Sequence, residues 1–385
     1  MKRKICIITG TRSEYGLLSR LMRLILDDKE LTLQIIATNM HLSPEFGLTY
    51  REIENDGFSI DKKVEMLLSS DTATATTKSV GLATIGFADA YEDLKPDLLL
   101  VLGDRYEILA AVTAALFFKI PVAHLHGGDI TEGAYDDAIR HAITKMSHLH
   151  FTSTEEYRKR VIQMGEEPKR VFNVGAIGID NIKHFQLIPK LELEKSLNFK
   201  FGEKCVLITF HPVTLENNTA EEQINSLLQA LVLNNDLRML FTLPNSDTDG
   251  RIIMKIINQF VEKNNTRAIA FTSLGQLKYL SALQFVDAVV GNSSSGIIEV
   301  PSFGIPTLNI GNRQQGRIKA KSVIDCDAKF EDIQEKLRVL LSSETKEFCR
   351  KCENPYKKGN TAIEIHSVVR NYPLDRLIKK RFYNL

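Results

Sequence analysis

The sequence predicts an α/β protein built from two Rossmann-like domains that face each other across a cleft. Short β-branched and apolar runs alternate with longer amphipathic segments from start to finish, the pattern of parallel strands covered by helices on both faces. The alternation restarts after a polar, Lys-rich stretch at residues 190–204. At 385 residues the chain also exceeds the size of a usual single core. Hydrophobic content of 43% with 25% charged residues is that of a globular enzyme. A net charge of +1 gives no field that would draw nucleic acid or an anionic membrane, and no apolar run is long enough to span a bilayer, so neither is expected as a partner.

The first strand is expected at 5–9. The preceding Met1-Lys2-Arg3-Lys4 imitates the charged end of a signal peptide, but the apolar run is too short and turns straight into a Gly-Thr-Arg loop. Further strands follow at 33–38, 98–102, 122–126, 150–152 and 171–174 in the first half. In the second they fall at 206–210, 239–243, 268–271, 288–290, 307–310 and 323–326. The division is therefore 1–190, 191–360 and a tail, 361–385, which Asn371-Tyr372-Pro373 breaks into two helices able to pack back on the first domain. The five cysteines are odd in number and lie mostly in strand-like runs, which fits reduced thiols and a cytoplasmic location. Cys349-x-x-Cys352 has no second ligand pair nearby and reads as incidental thiols.

In doubly wound sheets ligands bind beyond the carboxyl ends of the strands, and here nearly every strand end carries unusual residues. After the first strand, Gly10-Thr11-Arg12-Ser13-Glu14-Tyr15-Gly16 lacks the GxGxxG spacing of a dinucleotide site but places Arg12 to fork onto a phosphate. Taken alone, Arg12 is equally a surface arginine on a turn. After 98–102 comes Gly103-Asp104-Arg105-Tyr106-Glu107. Asp104 stands where a carboxylate can be tuned for proton transfer, and it also fits a helix N-cap. The next strand ends in His124-Leu125-His126-Gly127-Gly128-Asp129. The two histidines, two apart on an extended strand, point the same way and invite a metal reading with Asp129 or Asp104. A Gly-Gly turn with scattered carboxylates does not enforce a coordination sphere, so no metal is expected. Glu132, Asp136 and Asp137 stand near the next helix start and can face the same cleft as Asp104; Asp136 and Asp137 also suit the helix dipole.

In the second half 206–210 runs into His211-Pro212, a proton or hydrogen-bond donor for a leaving phosphate, and 239–243 into Pro244-Asn245-Ser246-Asp247. The richest segment is Gly291-Asn292-Ser293-Ser294-Ser295-Gly296-Ile297-Ile298-Glu299, where a strand hands over to a helix. Serine hydroxyls and unpaired amides there form a cradle for a diphosphate, and Glu299 can accept from sugar hydroxyls. Read alone, the serines are equally an N-cap cluster. Beyond them Arg313 and Arg317, in Gly311-Asn312-Arg313-Gln314-Gln315-Gly316-Arg317, can close over a diphosphate.

Together, GTRSEYG, VLGDRYE, HLHGGDITEGAYDDAIRHAITK, FHP and GNSSSGIIEVPSFGIPTLNIGNRQQGR resemble the UDP-N-acetylglucosamine 2-epimerase family, specifically its hydrolysing branch in sialic-acid-type pathways. The resemblance runs from the first strand to about Pro355. It implies a glycosyltransferase-B-like pair of domains and a UDP-sugar substrate, with no metal or nicotinamide cofactor. It also implies a homodimer or homotetramer. By matched motif, UDP contacts are implied for Arg12, Ser13, Arg105, Asn245, Ser293, Ser294, Ser295, Gly296, Glu299 and Arg313, with His211 beside the phosphates. Asp104 and Asp136 fall on positions expected to act as acid and base. Where several relatives carry a glutamate after the buried strand, this chain has His126, so Glu132, Asp137 and His126 share the inventory of proton carriers. The implied reaction releases UDP and a free manno-configured 2-acetamido sugar through a glycal. The starting sugar is N-acetylglucosamine or its 2,4-diacetamido-2,4,6-trideoxy analogue. A non-hydrolysing epimerase, a transferase of the same fold and a UDP-sugar-binding protein are the alternatives.

Overall fold

The computed structural model describes residues 2–216, 218–244 and 249–385. Asn245 therefore lies outside the described residues. The chain divides into two compact units, one comprising Met1–Asp129, Asp136–Asn181 and Tyr356–Leu385, the other Ile130–Tyr135 and Ile182–Pro355.

The first unit is a seven-stranded sheet of order β3-β2-β1-β4-β5-β6-β7. Its strands are β1 (Arg3–Thr9), β2 (Leu31–Thr38), β3 (Lys62–Val64), β4 (Leu98–Leu102), β5 (Val122–Leu125), β6 (Leu149–Thr152) and β7 (Val171–Asn173). Every pairing is parallel. The period of two along β1 explains why both faces need cover. Ile5 and Ile7 pack on the helix Arg12–Asp27 through Leu18, Leu21, Met22 and Ile25, while Cys6 and Ile8 pack on the other side with Phe87, Tyr91 and Val112. Ala362, Ile365 and Val369 of the helix Thr361–Asn371 join the first of these clusters.

The second unit repeats the plan with six parallel strands in the order β10-β9-β8-β11-β12-β13. These are β8 (Cys205–Thr209), β9 (Arg238–Thr242), β10 (Ala268–Phe271), β11 (Ala288–Gly291), β12 (Thr307–Ile310) and β13 (Val323–Cys326). Val206 and Ile208 face one cluster, Cys205 and Leu207 the other. No described helix is long and apolar enough to cross a membrane, and all five cysteines are free thiols.

Three expectations are corrected. The division expected at residue 190 comes at Asn181, since the helix Lys190–Leu197 buries Leu193 and Leu197 beside Phe199 and Phe201 in the second unit. The tail forms one helix, not two. Pro373 has no amide to donate and biases Tyr372 to extended backbone (ψ 130°), ending the helix Thr361–Asn371. The remaining residues are held irregularly, with Lys380 Nζ donating to the carbonyls of Lys145 and Ser147 and to the Glu166 carboxylate. Finally, Ile130–Tyr135 belongs to the second unit although both its chain neighbours lie in the first.

Candidate active site

In each unit the strand order reverses once, between β1 and β4 in the first and between β8 and β11 in the second. Loops leaving the carboxyl ends of such a pair diverge to opposite faces and open a crevice. All four of these loops carry residues singled out from the sequence.

At the β1/β4 reversal, Thr11 caps the helix Arg12–Asp27 by accepting from the Glu14 amide at 3.2 Å, and Glu14 reaches back to the Gly10 amide at 2.7 Å. Arg12 Nε lies 2.5 Å from Glu52 Oε2, and Ser13 Oγ is 3.1 Å from Thr11 Oγ1. From the β4 loop Arg105 Nε donates to Glu107 Oε1 at 2.8 Å. Gly10 is required there, since a Cβ at that position would fall 2.3 Å from Glu107 Oε1. Two carboxyl groups, Glu14 and Glu107, are thus buried at this reversal. Burial, with the Glu107 charge adding to it, pushes Glu14 up to about 8.

Asp104 is held by Arg140, whose Nη2 donates to Asp104 Oδ2. The same guanidinium gives Nη1 to Asp137 Oδ1 at 3.2 Å and to the Asp129 carbonyl at 3.0 Å. Asp136 and Asp137 open the helix Asp136–Met146, and Asp137 Oδ2 is 3.4 Å from His141 Nε2. Asp104, Asp136 and Asp137 therefore stand in the first unit. Glu132 does not: it is an exposed residue of the Ile130–Tyr135 segment, whose amide donates to the Gln315 carbonyl at 3.0 Å in the second unit.

The histidines also differ from expectation. His124 is wholly buried, its Nε2 donating to the Gly103 carbonyl at 2.7 Å and its Nδ1 3.2 Å from Thr144 Oγ1. Burial carries it down to about 3, so it is a neutral core imidazole. His126 does not point alongside it, because β5 ends at Leu125 and His126 adopts left-handed backbone (φ 63°). Its amide donates to the Phe151 carbonyl at 2.8 Å and its Nε2 accepts from the Ile177 amide at 3.4 Å. Among the described residues no group of three or more His, Cys, Asp or Glu side chains is placed to hold a metal ion.

At the β8/β11 reversal, Asn292 is fully buried and clamps His211 by its backbone: Oδ1 accepts from the His211 amide at 2.7 Å and Nδ2 donates to the His211 carbonyl at 2.8 Å. Gly291 makes this possible. Its φ of 132° and the Thr209 carbonyl, 2.0 Å from a would-be Cβ, exclude any side chain. The Asn292 carbonyl in turn accepts from Gln314 Nε2 at 2.9 Å and Arg313 Nη1 at 3.3 Å. Asn312 is tied to Glu216 Oε1 at 2.7 Å, which pins the start of the arginine loop.

The serines follow β11 as the sequence predicts, but the helix behind them is shorter than expected. Ser295–Ile298 makes one α turn before the 3₁₀ turn Val300–Phe303, which ends at Gly304 in left-handed backbone (φ 67°). A macrodipole of that length is small, so the helix itself adds little positive potential at Ser293, Ser294, Ser295 and Gly296. Ser295 Oγ accepts from Tyr279 Oη at 2.8 Å. Burial raises Glu299 to about 7, against the hydrogen bond from Ser295 and the attraction of Arg317.

Comparison with known proteins places the whole chain. A family model described as UDP-N-acetylglucosamine 2-epimerase matches residues 24–370. The chain belongs to that family. Along its full length it is 45% identical to a Campylobacter jejuni protein, all of which is covered, named GDP/UDP-N,N'-diacetylbacillosamine 2-epimerase (hydrolyzing). It is 36% identical to the UDP-N,N'-diacetylbacillosamine 2-epimerase (hydrolyzing) of Legionella pneumophila over 97% of both chains. An Escherichia coli polysialic acid biosynthesis protein, P7, is 37% identical over 96% of this chain and 94% of its own. Among solved structures, the UDP-GlcNAc 2-epimerase of Neisseria meningitidis bound to UDP-GlcNAc superposes with a TM-score of 0.78 at 19% identity, covering 96% of this chain and 100% of its own. A Listeria monocytogenes structure gives 0.79 at 18%, covering all of both chains. The fold is accordingly the glycosyltransferase-B-like pair of Rossmann-like units found in this epimerase family.

Within that family fold, sequence reading missed the roles of Arg140, Asn292 and the Glu14–Glu107 pair. The only signal for the first two was their place in the matched motifs. A helical arginine otherwise reads as a solvent-facing charge.

Proposed function

We infer that the chain is a hydrolysing UDP-sugar 2-epimerase, and that its substrate is UDP-2,4-diacetamido-2,4,6-trideoxyglucose, the UDP derivative of N,N'-diacetylbacillosamine. The full-length 45% identity to a relative named for that hydrolysing reaction carries the reading. A second reading, UDP-N-acetylglucosamine as substrate, is favoured by the UDP-N-acetylglucosamine 2-epimerase of Neisseria meningitidis serogroup B, 32% identical over 89% of this chain and 88% of its own.

The C2 proton of such a sugar is barely acidic, so C1–O cleavage must run ahead of its removal. The C1–O electron pair leaves with UDP, the C2 proton passes to a carboxylate, and a C1=C2 double bond forms. Water then gives its oxygen to C1 while C2 takes a proton on the opposite face. The sum is UDP-sugar plus water to UDP plus the free manno-configured sugar, a precursor suited to nonulosonic acid synthesis.

Stabilising the departing diphosphate is the main requirement. In this account Ser293, Ser294, Ser295 and Gly296 donate to it, Glu299 takes the ribose hydroxyls, and His211, Arg313, Arg12, Ser13 and Arg105 supply donors and positive charge. Asn245 adds to the nucleotide contacts. Asp104 and Asp136 exchange protons at C2, with Asp137, Glu132 and His126 as further carriers. The protein acts as a homodimer or homotetramer in the cytoplasm.

Incubation with each UDP-sugar, followed by chromatography, tests this. UDP and a free sugar should appear from the diacetamido substrate in preference to UDP-N-acetylglucosamine. An epimerised sugar still attached to UDP would make the chain a non-hydrolysing epimerase, and transfer to an added acceptor would make it a transferase.

A further inference from the structure

Arg140 lies in a helix that reads as solvent-facing, yet it is 1% exposed and the largest wholly buried side chain described. Its guanidinium serves three acceptors from three segments: the Asp104 carboxylate after β4, the Asp129 carbonyl after β5, and the Asp137 carboxylate one turn before it. A planar fork of donors fixes the relative orientation of the groups it binds, which a lysine ammonium does not. Burying such a charge without an acid partner is strongly unfavourable, so the arrangement depends on ionised carboxylates staying in place.

We propose that Arg140 is the positioning residue of the proton-transfer apparatus, setting Asp104 against Asp137 and the start of the Asp136 helix. The inference rests on the epimerase reading and deepens it. Asp104 sits on the loop at the β1/β4 reversal, and Asp136 and Asp137 sit on a separate helix. Proton removal and return at one carbon need carboxylates held to within a fraction of an ångström, and nothing in the local sequence of either segment supplies that. Arg140 bonds to both. Among the titratable groups around it, His141 faces the far oxygen of Asp137, His124 is a neutral imidazole bonded to Gly103, and the Asp129 carboxylate accepts from Ser153 Oγ at 3.1 Å.

The test compares Arg140→Lys and Arg140→Met with wild type by steady-state kinetics across pH and by calorimetric titration with UDP. Wild-type turnover comes first: no release of UDP and free sugar would overturn the epimerase reading itself. With turnover present, Arg140→Lys should lower kcat about tenfold or more while KM and UDP affinity stay within about twofold. Arg140→Met should lower kcat further and move the acid limb of kcat/KM to higher pH, because a carboxylate deprived of its guanidinium is protonated more readily. In an Asp104→Asn background the Arg140→Lys substitution should cost little more, since its effect runs through Asp104. An unchanged kcat for Arg140→Lys, a loss confined to KM, or full additivity with Asp104→Asn would overturn the positioning role. Should Arg140→Met fail to fold, Arg140→Lys, which keeps the buried charge, decides the matter.

Discussion

The Asn292 carboxamide grips the backbone of His211 on both sides, taking its amide proton at 2.7 Å and giving one to its carbonyl at 2.8 Å. A buried side chain on the loop after β11 thereby fixes a histidine on the loop after β8. Gly291 supplies the backbone geometry, and Arg313 leans on the Asn292 main-chain carbonyl, so the loops after β8, β11 and β12 meet at this residue.

Replacing Asn292 with alanine removes both of its side-chain hydrogen bonds to the buried His211 backbone, at about 1–3 kcal/mol of stability. Asn292→Ala should weaken UDP binding and lower kcat by about tenfold or more, read by calorimetry and thermal unfolding. Retained affinity with normal turnover would show that His211 needs no such clamp.

Asp104→Asn keeps the size of the side chain and an oxygen for Arg140 to bind, and removes the carboxylate proposed to carry the proton. UDP affinity should hold within about twofold while kcat falls by about 10²–10⁴. Loss of UDP binding would assign Asp104 to structure.

Glu299 sits near neutrality because burial raises it to about 7. The ionised form is the stronger acceptor for the ribose hydroxyls proposed to bind it, so UDP affinity should fall as pH drops through about 7. The ratio of wild-type to Glu299→Gln affinity removes the phosphate's own titration. That ratio should rise with pH and level off above neutrality; a flat ratio would free Glu299 of this role.

For Glu14 the sign concerns stability. Burial raises its folded value to about 8, above the unfolded one, so the native state binds the extra proton and stability declines as pH rises toward 8. Glu14→Gln should flatten that decline in denaturant unfolding across pH, whereas an unchanged slope would locate the titration elsewhere.

The sheet architecture was largely legible because continuous apolar strands broken by polar strand ends leave little freedom of interpretation. The edge strand Lys62–Val64 was not, with two lysines and a single buried valine. The cradle, His211 and the carboxylates could be picked out as polar groups at strand ends. Their partners could not, because Arg140 and Asn292 are defined by long-range contacts that leave no periodic trace. Glu132 shows the same limit: six residues of chain pass into the other unit with no change of composition to announce it.

In the glycal route water enters at C1 while C2 is reprotonated from solvent, and proton NMR of the reaction in D2O observes this directly. The free manno-configured sugar should carry deuterium at C2 with UDP released in equal amount. A free sugar that keeps its C2 proton and its original configuration would contradict the glycal route and reduce the protein to a simple hydrolase of nucleotide sugars.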